Sequence, residues 1–246
     1  MAYQDIEMPT TFPQEIFQAF GQKAARFFPE LLSDEMLRDR LETRTQFDRA
    51  WQAVRYRYRG CFESNEQFKA LLATASEIWK EWNTDEEMNY KVEQCLYQFF
   101  LSGLSVFDSL AFCLYFLGGG VRAEAFPLRE KPKSITLDVT IRAYQDAFLD
   151  ALITVRLAEL VGKREFKTIR TVRNLIAHRV SGRRHIRGYS TRETHTREER
   201  WYLPGSDDAL IFDEELLQRH LDDITSMVTA LITSGLDFVN AIEKAA

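Results

Sequence analysis

The chain has 246 residues, of which 45% are hydrophobic and 13% aromatic, and its net charge is −5. Such a composition excludes a disordered chain, and the length allows one large core or at most two small ones. There are only eleven glycines and six prolines, and no proline lies between Pro29 and Pro127, so the reading is an α-rich protein.

The opening stretch MAYQDIEMPTTFPQE has no basic n-region and no apolar h-region, so no signal peptide is expected. Pro13 suits a first helical turn, and that helix runs to Pro29. Ser33, followed by Asp34 and Glu35, opens a second helix that fades near Gly60. Ser64 with Gln67 reads as a capping box for a third. Thr84 with Glu87 opens the longest helix, which the glycines at 118–120 are expected to end. Residues 121–137 hold two prolines and read as a loop. A helix from Asp138 to about Leu160 follows, punctuated by Gly162. The next runs to about Val180. Residues 181–206 break the helical period and read as a β-hairpin arm or a mobile loop, and Asp213 starts a final helix. Residues 1–84 are taken as a helical extension packed on a bundle formed by 85–246.

Residues 99–118, FFLSGLSVFDSLAFCLYFLG, are nearly long and apolar enough to span a bilayer. Asp108 near the centre would be costly in lipid, and no second such segment is expected, so the stretch reads as a buried helix and no membrane partner is foreseen. Cys61, Cys95 and Cys113 are far apart and lack metal-ligand spacing, which suits reduced core thiols in a cytoplasmic protein.

Charge is unevenly placed. Residues 163–200 contain twelve Lys/Arg and four Glu, a net of +8, which leaves −13 for the remainder. A basic island in an acidic protein suggests a local anionic partner. Three of the four histidines, His178, His185 and His195, fall in it.

Within the island, residues 171–180 read TVRNLIAHRV. Phe166, Ile169, Val172, Ile176 and Val180 recur at three or four and define a buried face. Arg170, Asn174 and His178 recur at four and form a second stripe. Arg173 stands about 100° around the helix from Asn174, so the helix alone does not pair Arg173 with His178. His can exchange a proton near neutral pH, and Arg offers a planar charge suited to phosphate. Asn can orient a hydroxyl or a phosphate. RNA cleavage needs no metal in principle, because the 2′-hydroxyl can act as nucleophile.

The segment RNLIAH resembles the signature of HEPN domains, an Arg followed after four to six residues by His, with a polar residue such as Asn after the Arg. The resemblance spans about residues 85–245 and implies an all-α, HEPN-like helical bundle. It also implies a homodimer whose two motifs face one cleft, with metal-independent endoribonuclease activity and no cofactor. By that resemblance Arg173 would stabilise the phosphate, Asn174 would assist positioning and His178 would be the general acid/base. Toxin–antitoxin, anti-phage and RNA-processing systems use such proteins, so RNA and an antitoxin or regulatory protein are the implied partners. Val180 stands where toxin-type members often carry Tyr, a departure from that branch. A non-catalytic HEPN-like bundle for protein interaction or nucleotide or RNA binding is the alternative, and an unrelated helical scaffold is a third reading.

Two further features attach to the motif. Asp108 reads as a buried acid that faces the motif helix and holds Arg173 or Arg170, or else bonds locally to Ser105 or backbone. The arm interleaves Arg183, Arg184, Arg187, Arg192, Arg197 and Arg200 with His185, Tyr189, His195, Trp201 and Tyr202. With Arg179, these arginines are expected to grip phosphates while the aromatic rings stack on bases.

Overall fold

The computed structural model describes residues 7–28, 34–80, 85–127, 134–178, 183–190, 195–202 and 209–245, and at 34–41, 76–80, 178, 183–190, 195–198 and 209 the description is of the backbone. The chain is mainly helical. Among the described residues there are seven α-helices and one small antiparallel sheet. The helices are α1 (Gln14–Ala24), α2 (Asp34–Lys80), α3 (Glu86–Val121), α4 (Leu137–Ala147), α5 (Leu152–Gly162), α6 (Arg164–His178) and α7 (Leu216–Ala245). The strands β1 (Arg183–Ser190), β2 (His195–Tyr202) and β3 (Ala209–Ile211) run in that order across the sheet.

Several element boundaries differ from expectation, each for a local reason. Helix α2 is continuous for 47 residues, through both Gly60 and the supposed capping box. The Ser64 hydroxyl donates to the carbonyl of Gly60 at 2.7 Å, a bond back along the same helix rather than a cap for a new one. Gly60 instead accommodates a neighbour, since a Cβ there would lie 3.1 Å from Ser102 Oγ. Helix α3 begins after Asp85, whose Oδ1 accepts from the Met88 amide at 3.1 Å, while Thr84 lies outside the described residues. It then runs through the glycines at 118–120 to Val121. Those glycines are packing positions and do not end the helix, because Phe126 lies against Gly118 and Phe28 against Gly120.

The helix expected from Asp138 to Leu160 is two helices. The Thr136 side chain accepts from the Val139 amide and caps α4. The backbone then breaks at Phe148, whose carbonyl accepts from the Thr154 hydroxyl at 2.6 Å as α5 begins. Asp213 precedes α7, its Oδ1 accepting from the Glu215 amide at 3.2 Å. The arm is a hairpin with Arg183 opposite Tyr202 and Ser190 opposite His195. The third strand, pairing Arg200 with Ile211, was not anticipated.

Residue contacts divide the chain into two compact units, neither continuous in sequence nor bounded at residue 84. The first comprises Met1–Arg59, Ser105–Lys163 and Ile224–Ala246. Its core is aromatic. Phe17 stacks on Trp51 with centroids 3.6 Å apart, and Gly21 makes room for the indole. Phe126 packs edge-on against Tyr115 and Tyr144. Tyr144 is fully buried and donates to the Leu114 carbonyl at 2.9 Å, and burial pushes its phenol well above the ordinary range.

The second unit comprises Gly60–Leu104 and Arg164–Asp223. Phe68, Leu96, Phe99, Phe100, Phe166, Ile169, Val172 and Leu217 are buried in it. Trp201 of β2 is 1% exposed, and Phe212, just after β3, meets Phe68 edge-on at 5.5 Å.

By length and composition both α3 and α7 pass the test for a membrane-crossing helix, with mean hydropathy 1.7 and 1.2 over their most apolar windows. The expectation of a single such segment is thereby corrected. The α3 window is 72% buried within the protein, which is the behaviour of a core helix. All three cysteines are buried and free.

Candidate functional site

Helix α6 sorts its residues as the spacing dictates. Phe166, Ile169 and Val172 are buried, while Arg170 and Asn174 are exposed. Ile176 is half-buried and Val180 lies outside the described residues. The apolar face thus fixes the rotation of the helix and turns the Arg170–Asn174 stripe outward.

Arg173 sits at the edge between the two faces and is half-buried. Its Nη1 donates to Asn174 Oδ1 at 3.0 Å. This contact joins two residues that stand about 100° apart on the helix. The long Arg side chain crosses the angular gap, and the Asn carbonyl holds its guanidinium toward the polar stripe. Among the described residues no group accepts from the Asn174 amide hydrogens. The Arg173 Nε is buried and has no hydrogen-bond partner among the described residues. The Nε is shielded by the protein, so any incoming anion would meet the Nη end of the guanidinium. Arg170 lies over the Phe166 ring at 5.8 Å from the centroid, a cation–π contact that limits how its stem can move.

His178 is the last residue of α6, one helical turn beyond Asn174. Arg179 and Arg192 lie outside the described residues. Arg183, Arg184 and Arg187 fall on β1 and Arg197 on β2, so the chain passes from His178 to a strand within five residues.

Two expectations are corrected. Asp108 is exposed rather than buried, and it belongs to the first compact unit whereas α6 belongs to the second. The burial from which its pairing with Arg173 or Arg170 was expected is therefore not found. Trp201 is not a base-stacking platform, because its ring is buried. Tyr202 is half-buried and Arg200 exposed.

A polar network absent from the sequence reading joins α2 to α7. Asn65 is fully buried and donates through Nδ2 to Gln218 Oε1 at 2.9 Å and to Glu66 Oε1 at 3.2 Å. Lys69 donates to the same Gln218 oxygen at 2.8 Å. In sequence these residues resemble a solvated helix face, and the approach of the two helices buries Asn65 while leaving Glu66 exposed. His220, the histidine outside the basic island, packs edge-on against Phe100 with ring centroids 5.2 Å apart.

No group of three or more His, Cys, Asp or Glu with the geometry of a metal site occurs among the described residues. Comparison of the chain with protein-family models, with curated proteins and with solved structures gives no match.

Proposed function

We propose that the protein is a metal-independent endoribonuclease of HEPN type that acts in the cytoplasm as a homodimer with a composite active site. The observation that supports it most directly is the Arg173–Asn174 pair, a half-buried guanidinium held by the amide of an exposed polar stripe. That is the arrangement an arginine needs to receive a phosphate oxygen.

In this reading the RNA 2′-hydroxyl attacks the adjacent phosphorus. The P–O2′ bond forms, the P–O5′ bond breaks, and the products end in a 2′,3′-cyclic phosphate and a 5′-hydroxyl. One His178 accepts the 2′ proton, and the His178 of a second copy donates a proton to the departing 5′ oxygen. Arg173 stabilises the charge that builds on the non-bridging oxygens, and Asn174 holds Arg173 in place. The two protonation roles require two imidazoles in different states, which is why one copy of the motif is half of a site.

The test is cleavage of a labelled RNA in EDTA. Activity that yields a cyclic phosphate terminus and is lost in His178→Ala supports the reading. Purified protein that binds RNA but cleaves none would favour the non-catalytic binding module instead.

A further inference from the structure

Helix α6 carries a cation at every third position, Arg164, Lys167, Arg170 and Arg173. Residues three apart are neighbours on a helix, so these side chains form one diagonal ridge of like charge. Like charges at this spacing repel, and no carboxylate stands three or four residues from any of the four. The only acid of the helix, Glu165, lies about 160° around from Lys167. Other helices of the chain behave differently. Arg44 pairs with Asp48, Lys69 with Glu66, Lys91 with Glu87 and Arg156 with Glu159, each within one helical turn. Arg164, Lys167 and Arg170 are exposed, and among the described residues they form no ion pair.

We infer that this ridge is a track for the phosphates of single-stranded RNA, leading the strand along α6 to the Arg173–Asn174 pair. An evenly spaced row of cations matches an evenly spaced row of anions, which a polynucleotide backbone supplies. The ridge ends at Arg173, whose guanidinium is held through Nη1 by Asn174 Oδ1 at 3.0 Å. Three of the four cations are arginines, whose planar forks suit phosphate oxygens. The inference rests on the RNA reading above and extends it to residues outside the RNxxxH motif. It places the main electrostatic contact on the rigid helix rather than on the hairpin.

The experiment measures binding of the full chain to a fluorescein-labelled 2′-O-methyl RNA 20-mer, which lacks the attacking hydroxyl, across 50–300 mM salt. Each phosphate neutralised contributes about −0.7 to the slope of log K against log salt for single strands. The variant Arg164→Gln/Lys167→Gln/Arg170→Gln is expected to make the slope less negative by about 2. A charge-matched control, Arg44→Gln/Lys91→Gln/Arg156→Gln, should leave it nearly unchanged. The ridge variant should melt no lower than wild type, because it loses like-charge repulsion. If the triple variant fails to fold, Lys167→Gln alone should still move the slope by about 0.7. An unchanged slope in the ridge variants, or equal changes in ridge variant and control, would overturn the track. So would ridge-dependent binding of poly-glutamate without binding of RNA, which would assign the ridge to an acidic protein. Ridge-dependent binding without cleavage of ordinary RNA sinks the nuclease reading alone. Cleavage with ridge-independent binding sinks the track alone.

Discussion

The glycines at 118–120 allow the packing of α3 to be tested one methyl group at a time. If they were chosen to end a helix, alanine would be equally harmful at all three. The structure separates them. A Cβ at Gly118 would lie 2.5 Å from two atoms of the Phe126 ring and 2.8 Å from a third. That ring is 3% exposed and wedged between Tyr115, Tyr144 and Phe148, so it has no free direction in which to retreat. Overpacking of this kind costs about 2–3 kcal/mol, against about 1 kcal/mol gained from alanine's helix propensity. Gly118→Ala should therefore destabilise by about 1–2 kcal/mol, lowering the melting midpoint by about 2–8 °C for a chain of this size. At Gly119 the nearest atoms are 3.6 Å away, ordinary contact, so alanine should stabilise by about 0.5–1 kcal/mol. At Gly120 the clash is milder, 2.9 Å to Phe28 and 3.3 Å to the Phe27 carbonyl, and the net effect should be a loss of about 0–1 kcal/mol. Urea titration followed by circular dichroism gives the order directly. A Gly118→Ala protein as stable as Gly119→Ala would refute the packing of Phe126 against α3.

Gly162 offers the converse case. Nothing lies within 4 Å of a Cβ there, so Gly162→Ala should gain about 0.5–1 kcal/mol, and a loss of stability in the same titration would count against the α5 terminus described. Trp201→Ala removes a fully buried ring from β2 and should cost about 3–5 kcal/mol, with faster tryptic cutting in residues 183–200. Unchanged cutting would mean that the hairpin does not depend on that ring. Stability should also fall in alkali. Burial raises the Cys61, Cys95, Cys113 and Tyr144 pKa values above their unfolded ones, so their contribution is intact below the ordinary thiol and phenol values, about 8.5 and 10, and is lost as pH rises past them. A urea midpoint that stays level from pH 8 to pH 11 would contradict this, and Tyr144→Phe should flatten the upper part of the decline.

Much of the architecture was legible in the residues. The buried face of α6 follows from Phe166, Ile169 and Val172 recurring at helical spacing, and the end of the helical run from the loss of that period at 181–206, where strand pairing rather than a loop is decided by the structure. The mainly helical class follows from the long proline-free stretch. The misreadings share one cause. Gly60, Ser64 and the glycines at 118–120 have a local preference for turns and caps, but Gly60, Gly118 and Gly120 are places where another element approaches the helix closely, and Ser64 bonds back along its own helix. Local propensity is worth about 1 kcal/mol, and a well-packed aromatic neighbour outweighs it.

At the candidate site the division is similar. Order along the chain by itself determined the stripe of Arg170, Asn174 and His178 and the run of cations three apart, because helical periodicity depends only on spacing. It could not say that Asp108 faces solvent or that Trp201 is buried, since the same residue types suit either environment. Nor could it join Arg173 to Asn174, which stand about 100° apart on the helix. That contact depends on a long side chain bending across the surface. Only the tertiary structure, by burying the stem of Arg173 beside the apolar face, decides which way it bends.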